Sequence, residues 1–204
     1  IYMEIYKILM SDNPSKYIIE NKEIIFQLFP ELRTIDGKKA NSDYYDSDIL
    51  EYVLEVLERT SKNIYIKFAA LFHKIENENT FIESPIFNET SSGTPNPKST
   101  TFKKIADRLN MNEQTRNIVS TLIDLEDYDL EPSEENLRRY LEVLGSKNFE
   151  LLLDFKESII RSENKKYRYR LDKIFRIKSL YERLMAISNN SERAINSFEN
   201  NIEG

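Results

Sequence analysis

The sequence predicts an all-α protein, and three features carry that expectation. Only four glycines occur in 204 residues, at Gly37, Gly93, Gly145 and Gly204, too few for the tight turns of a many-stranded sheet. Apolar residues recur at spacings of three and four through most of the stretches between them, so that each set lines one helical face. Residues that start helices stand ahead of several of those stretches.

Taken in order, Ile5, Ile8 and Leu9 mark a first helix over residues 2–11. Asn13-Pro14 opens a second over 14–28, with proline in the first turn, where its missing N–H costs nothing. Asp46 or Ser47 caps a third over 46–60, in which Ile49, Val53, Val56 and Leu57 share a face. Helices over 62–75, 99–110 and 112–125 follow. Pro132-Ser133 ahead of Glu134 and Glu135 starts another over 133–144, with Leu137, Tyr140, Leu141 and Leu144 on its apolar side and Gly145 as its stop. Two more span 147–162 and 164–189, after which the Asn- and Ser-rich end is expected to fray or form a short closing helix. Two loops interrupt the pattern, one over 32–45 around Gly37 and one over 83–98 that holds Pro85, Gly93, Pro95 and Pro97. They suggest N-terminal helices over 1–45, a core over 46–125 and a tail over 126–204, which can pack together as one domain.

The apolar share of 40%, with 12 Tyr and 11 Phe, is ample for a packed core. Absence of cysteine rules out disulfides, thiolate metal sites and a cysteine nucleophile, and fits a reducing compartment. No apolar run approaches the ~20 residues that span a bilayer, and residues 1–10 lack the regions of a signal peptide, so the expected location is the cytoplasm with no membrane partner. Ile1 is not an initiator methionine, so further sequence is expected upstream. The net charge of −6 hides a lopsided distribution: seven acids and no base from Asp124 to Glu135, nine bases and three acids from Arg161 to Arg183.

Four scattered glycines exclude a P-loop and a dinucleotide-binding fingerprint. The sole histidine, His73, lies on a strongly apolar helix with no evident partner; it reads as a core histidine donating a hydrogen bond sooner than as a metal ligand or base. Asp46-Ser47-Asp48 and Asp127-Tyr128-Asp129 share the D-x-D spacing of magnesium-binding transferases, but the first sits at a helix start and the second in an acidic run at a helix end. The basic stretch is more suggestive. Arg161, Lys165, Lys166, Arg168, Arg170, Lys173 and Arg176, interleaved with Tyr167 and Tyr169, make a candidate RNA-binding surface, in which Lys166, Arg170, Lys173 and Lys178 fall near one helical face. The alternative is a solvated helix whose cations pair with the acidic run, and the sequence leaves both open.

Several blocks, in order, resemble a known family. Ile5-Tyr6-Lys7-Ile8-Leu9-Met10-Ser11-Asp12-Asn13-Pro14-Ser15-Lys16 and then Phe29-Pro30-Glu31-Leu32 are similar to the stretch after the catalytic head of bacterial tRNA CCA-adding enzymes and related poly(A) polymerases. Asp48-Ile49-Leu50-Glu51-Tyr52-Val53-Leu54 resembles the family's Asp-Val-x-x-His-Thr-Leu, and Phe68-Ala69-Ala70-Leu71-Phe72-His73-Lys74-Ile75 its Ala-Ala-Leu-Leu-His-Asp-Ile-Gly. Phe102 to Leu109, Leu137-Arg138-Arg139-Tyr140 and Leu153 to Ile160 resemble later helices, so the likeness covers roughly residues 5–185.

The resemblance implies an HD-type helical fold in which a metal would be held by two histidines and two aspartates. The corresponding positions here are Tyr52, His73, Lys74 and Ile159, so one ligand of four survives and Lys74 brings a positive charge where a cation would bind. The expectation is therefore a degenerate HD fold without metal, cofactor or catalytic residues, forming a helical tail that binds or positions RNA such as tRNA beside an upstream catalytic head. Two alternatives stand beside it: a free-standing degenerate HD module that binds a protein or a second copy of itself, and a residual metal-dependent phosphohydrolase that uses His73.

Overall fold

The computed structural model describes residues 1–39, 42–75 and 98–202, with side chains through residue 187. Among these it is all-helical: ten α-helices, one 3-10 turn, and a single strand-like bridge between Lys39 and Asp48. The expected loop over 83–98 lies outside the described residues except for Lys98.

The centre of the molecule is the helix with the fewest polar residues. α5 (Ile49–Arg59) and α6 (Ile64–Phe72) pack together across a short connection, and Ile66 through Phe72 of α6 are all buried. A helix apolar on every side must be covered on every side, and α6 is packed against α1 (Tyr2–Leu9), α5, α8 (Glu113–Asp124) and α9 (Glu134–Ser162). The one cation within it, Lys67, is buried and donates from Nζ to the Leu57 carbonyl at 2.8 Å, an end group of α5 that also accepts from N and Oγ1 of Thr60. α10 (Arg170–Ile202) packs along α9. One contiguous set of buried apolar side chains runs from Ile5 to Tyr181, so the three expected segments share a core.

Several boundaries differ from expectation for identifiable reasons. The helix expected over 14–28 is divided at Asn21 into α2 (Pro14–Glu20) and α3 (Lys22–Leu28). The Asn21 amide donates to the Tyr17 carbonyl at 2.9 Å and competes with the backbone for it. α5 starts later than 46 because Asp48, not Asp46 or Ser47, is its cap: its carboxylate accepts from Glu51 N while the Glu51 carboxylate accepts from Asp48 N. At Gly145 expectation and structure agree: its φ of +72° and ψ of 158° are non-helical, so the helical run from Glu134 breaks there and a second run begins beyond it, the two arms being numbered together as α9 across this kink. Asn110, at φ 50°, ends α7 (Thr100–Arg108) with paired bonds from Asn110 N to Asp107 O and from Met111 N to Ala106 O. After α9 the chain does not enter a helix at 164. Asn164 is strapped to the loop by bonds to the Tyr44 and Asp43 carbonyls, and a 3-10 turn (Lys165–Tyr167) intervenes before α10, which runs on to Ile202 without a separate closing helix.

Candidate functional site

Two features sit side by side: a buried charged cluster at the end of α6, and a cleft beside it that leads to the basic segment.

The cluster forms where α6 ends. His73, its C-cap, is buried, and the Nδ1 atom lies 2.7 Å from the Ala70 carbonyl. A carbonyl only accepts, so Nδ1 carries the proton and Nε2 is left with a bare lone pair. That atom is buried without a hydrogen-bond partner and faces Oε2 of Glu126, 3.9 Å away, which is also buried and unpartnered. Burial is the largest influence on the ring and pushes the His73 pKa down to about 4, against the attraction of Glu126. His73 is thus neutral at pH 7. The ring contacts Phe155 edge-on at 5.8 Å and Tyr52 at 5.9 Å, and Tyr52 is itself stacked on Tyr45 at 3.8 Å.

The other oxygen of Glu126 is heavily used: Lys74 Nζ approaches Oε1 at 2.7 Å and Lys98 Nζ at 3.2 Å. Burial alone would lower the Lys74 pKa, but the carboxylates of Glu126 and Asp127 outweigh it and hold the ammonium well above its ordinary range. Lys98 also pairs with Asp127. Partial desolvation would raise Asp127, yet the ammonium groups of Lys74 and Lys98 hold its pKa down at about 2. Beneath them Lys156, buried on α9, donates to the carbonyls of Glu126 at 2.7 Å and Tyr128 at 2.6 Å. Burial pushes its pKa down to about 8. Lys98 is brought here because the Asp124 carboxylate, at the end of α8, accepts from both N and Oγ of Ser99.

The four positions compared above are therefore placed as follows. Tyr52 and His73 meet as rings, Lys74 reaches across to Glu126, and Ile159 stands on α9 one turn from Lys156. A fixed ammonium neutralises the buried carboxylate, and among the described residues no three metal-binding side chains gather. Glu126, Lys98 and Lys156 did not stand out in the sequence. The acidic run from Asp124 to Glu135 reads as solvated, but Glu126 is buried. Its phase held the signal: Val119, Leu122 and Ile123 are buried on α8, and Glu126 continues that spacing. The two D-x-D pairs do not converge on a metal. Asp48 is a helix cap, while Asp127 and Asp129 diverge to Lys98 and Lys173.

The basic segment splits in two. Arg161 pairs with Glu157 at 2.6 Å one turn back on α9, Arg170 grips both oxygens of Glu163 at 2.7 and 2.8 Å, and Lys173 bridges Asp129 and Glu131, each at 2.7 Å. Lys178 is likewise held by Asp154 and Glu157. The single helical face drawn through Lys166, Arg170, Lys173 and Lys178 is thus largely neutralised from within. Lys165, Lys166, Arg168 and Arg176 are exposed and have no acidic partner among the described residues. Tyr169 between them is 69% exposed, and Phe175 is exposed beneath the Arg161 guanidinium at 5.9 Å.

A cleft of about 510 Å³ joins the two features, lined by Glu126, Asp127 and Lys156 of the first together with Tyr44, Tyr169 and Arg170. Comparison of the chain with protein-family models and with curated proteins finds no match.

Proposed function

We propose that this chain is a non-catalytic, RNA-holding helical tail of the kind found in tRNA CCA-adding enzymes and poly(A) polymerases, with the core of a degenerate HD fold. The observation that carries this reading is the group Lys165, Lys166, Arg168 and Arg176: four exposed cations without acidic partners among the described residues, in an acidic chain, beside two exposed aromatic rings. Cations already neutralised within the protein gain little from a phosphate, whereas unpaired ones release counterions when they bind one. The embedded Lys74–Glu126 pair supports the non-catalytic half of the reading, since it supplies internally the positive charge that a hydrolytic metal would bring.

A titration with total tRNA at rising salt tests it. If four phosphates are neutralised, affinity should fall about 50- to 150-fold between about 50 and 200 mM salt. Charge reversal at Lys165, Lys166 and Arg168 should abolish most of that dependence. Reversal of Lys173 should act first on stability, through Asp129 and Glu131. Binding that is absent at low salt overturns the proposal.

A second reading, a protein-docking module, is favoured by one observation. Ile1, Tyr17 and Ile24 are exposed on the lining of a groove of about 340 Å³ formed by α1, α2 and α3. Light scattering that finds a dimer without RNA affinity would favour it.

A further inference from the structure

The cleft beside the basic segment differs from the segment itself in one decisive property, its charge. Glu126, Asp127 and Asp129 on its lining are matched by Lys156, Arg170 and Lys173, so the lining is formally neutral. Each of those cations is already engaged: Lys156 by two carbonyls, Arg170 by Glu163, Lys173 by Asp129 and Glu131. A phosphate gains nothing inside such a cleft and would lose its hydration. A flat, uncharged, partly polar group suits it, because Leu130, Ile159, Ile160 and Ile174 supply apolar wall and Tyr169 supplies a ring.

Tyr169 ties the cleft to the unpaired cations. It lines the cleft, yet 69% of it faces solvent, and no ring or charged group among the described residues covers it. Lys165, Lys166 and Arg168 immediately precede it, and Arg176 is exposed on α10, which begins at the next residue. An exposed ring flanked by cations without acidic partners among the described residues, Lys166 lying over the Tyr167 ring at 5.0 Å, beside a neutral cleft is the arrangement that stacks a base while the backbone runs outside.

We infer that the cleft takes one unpaired nucleobase, stacked on Tyr169, with the neighbouring phosphates on Lys165, Lys166, Arg168 and Arg176. The inference rests on the RNA-holding reading and narrows it: the surface prefers single-stranded or flipped-out nucleotides over a continuous duplex, whose bases are hidden in the stack.

The test is fluorescence anisotropy of the full chain with a labelled single-stranded oligoadenylate and with a blunt RNA duplex carrying the same number of phosphates, at one fixed salt concentration. Wild type is compared with Tyr169→Ala and Tyr169→Phe, substitutions at a site too exposed to threaten the fold. The expected result is tighter binding of the single strand, weakened roughly five- to hundredfold by Tyr169→Ala and retained by Tyr169→Phe, with duplex binding unaffected by either. Equal binding of the two RNAs together with a silent Tyr169→Ala would overturn the inference and leave the RNA-holding reading standing. Failure of both RNAs to bind in a salt-dependent way would overturn that reading and the inference with it.

Discussion

His73 offers an unusually clean measurement, because it is the only histidine in the chain. Its ring is buried, its Nδ1 proton is given to Ala70 O, and burial pushes its pKa from the ordinary 6.5 to about 4. A histidine whose folded pKa is depressed binds its proton more readily in the unfolded chain. Stability is therefore complete above about pH 6.5 and falls as the pH drops from there toward 4. At about pH 5 the unfolded imidazole holds nearly a full proton and the folded one about a tenth, which corresponds to a loss of about 2 kcal/mol relative to pH 7.5. Urea denaturation at the two pH values measures the loss. His73→Phe, which keeps a ring against Phe155 and Tyr52 but cannot titrate, should show a pH dependence smaller by about that amount. The single imidazole resonance in a proton NMR titration gives the pKa directly. A midpoint near 6.5, with His73→Phe as acid-sensitive as wild type, would refute the account of a sealed, neutral ring.

Three further outcomes follow from particular contacts. Glu126→Leu leaves Lys74 and Lys98 without their shared buried carboxylate and should cost about 3–5 kcal/mol in chemical denaturation; a loss under about 1 kcal/mol would mean the cluster is not holding α6 to the segment after α8. Asp48→Ala removes one half of the reciprocal cap on α5 and should cost about 1 kcal/mol, with little further loss when Glu51→Ala is added, a coupling that a double-mutant cycle reads. Gly145→Ala places a Cβ in open space but at φ +72°, so the whole effect is backbone strain, a loss of about 1–3 kcal/mol seen as a lowered melting temperature.

The helical class was legible because it depends on properties local to the chain: few glycines, periodic apolar positions, and helix starts at Pro14 and Ser133. Boundaries were less legible because they turned on side-chain competition. Asn21 divides a helix by bonding Tyr17 O, and Asp48 outcompetes its neighbours as a cap because Glu51 stands three residues on to reciprocate. The reading of His73 as a core histidine donating a hydrogen bond agrees with its bond to Ala70, a partner only three residues away on an apolar helix.

The candidate site is another matter, because charge pairing is made between segments distant in sequence. Lys173 meets Asp129 and Glu131 more than forty residues away, and Lys74 meets Glu126 across 52. Nothing in a list of acids and bases says which cation finds a partner and which is left over. The amino-acid sequence by itself determined that this chain is helical, that the helix leading to His73 is strongly apolar, and that its charges are segregated. Only the tertiary structure decided that Arg161, Arg170 and Lys173 are consumed internally while Lys165, Lys166, Arg168 and Arg176 keep their charge for solvent. Periodicity acts over one or two turns, but whether a charge is neutralised depends on what the fold brings within 3 or 4 Å of it.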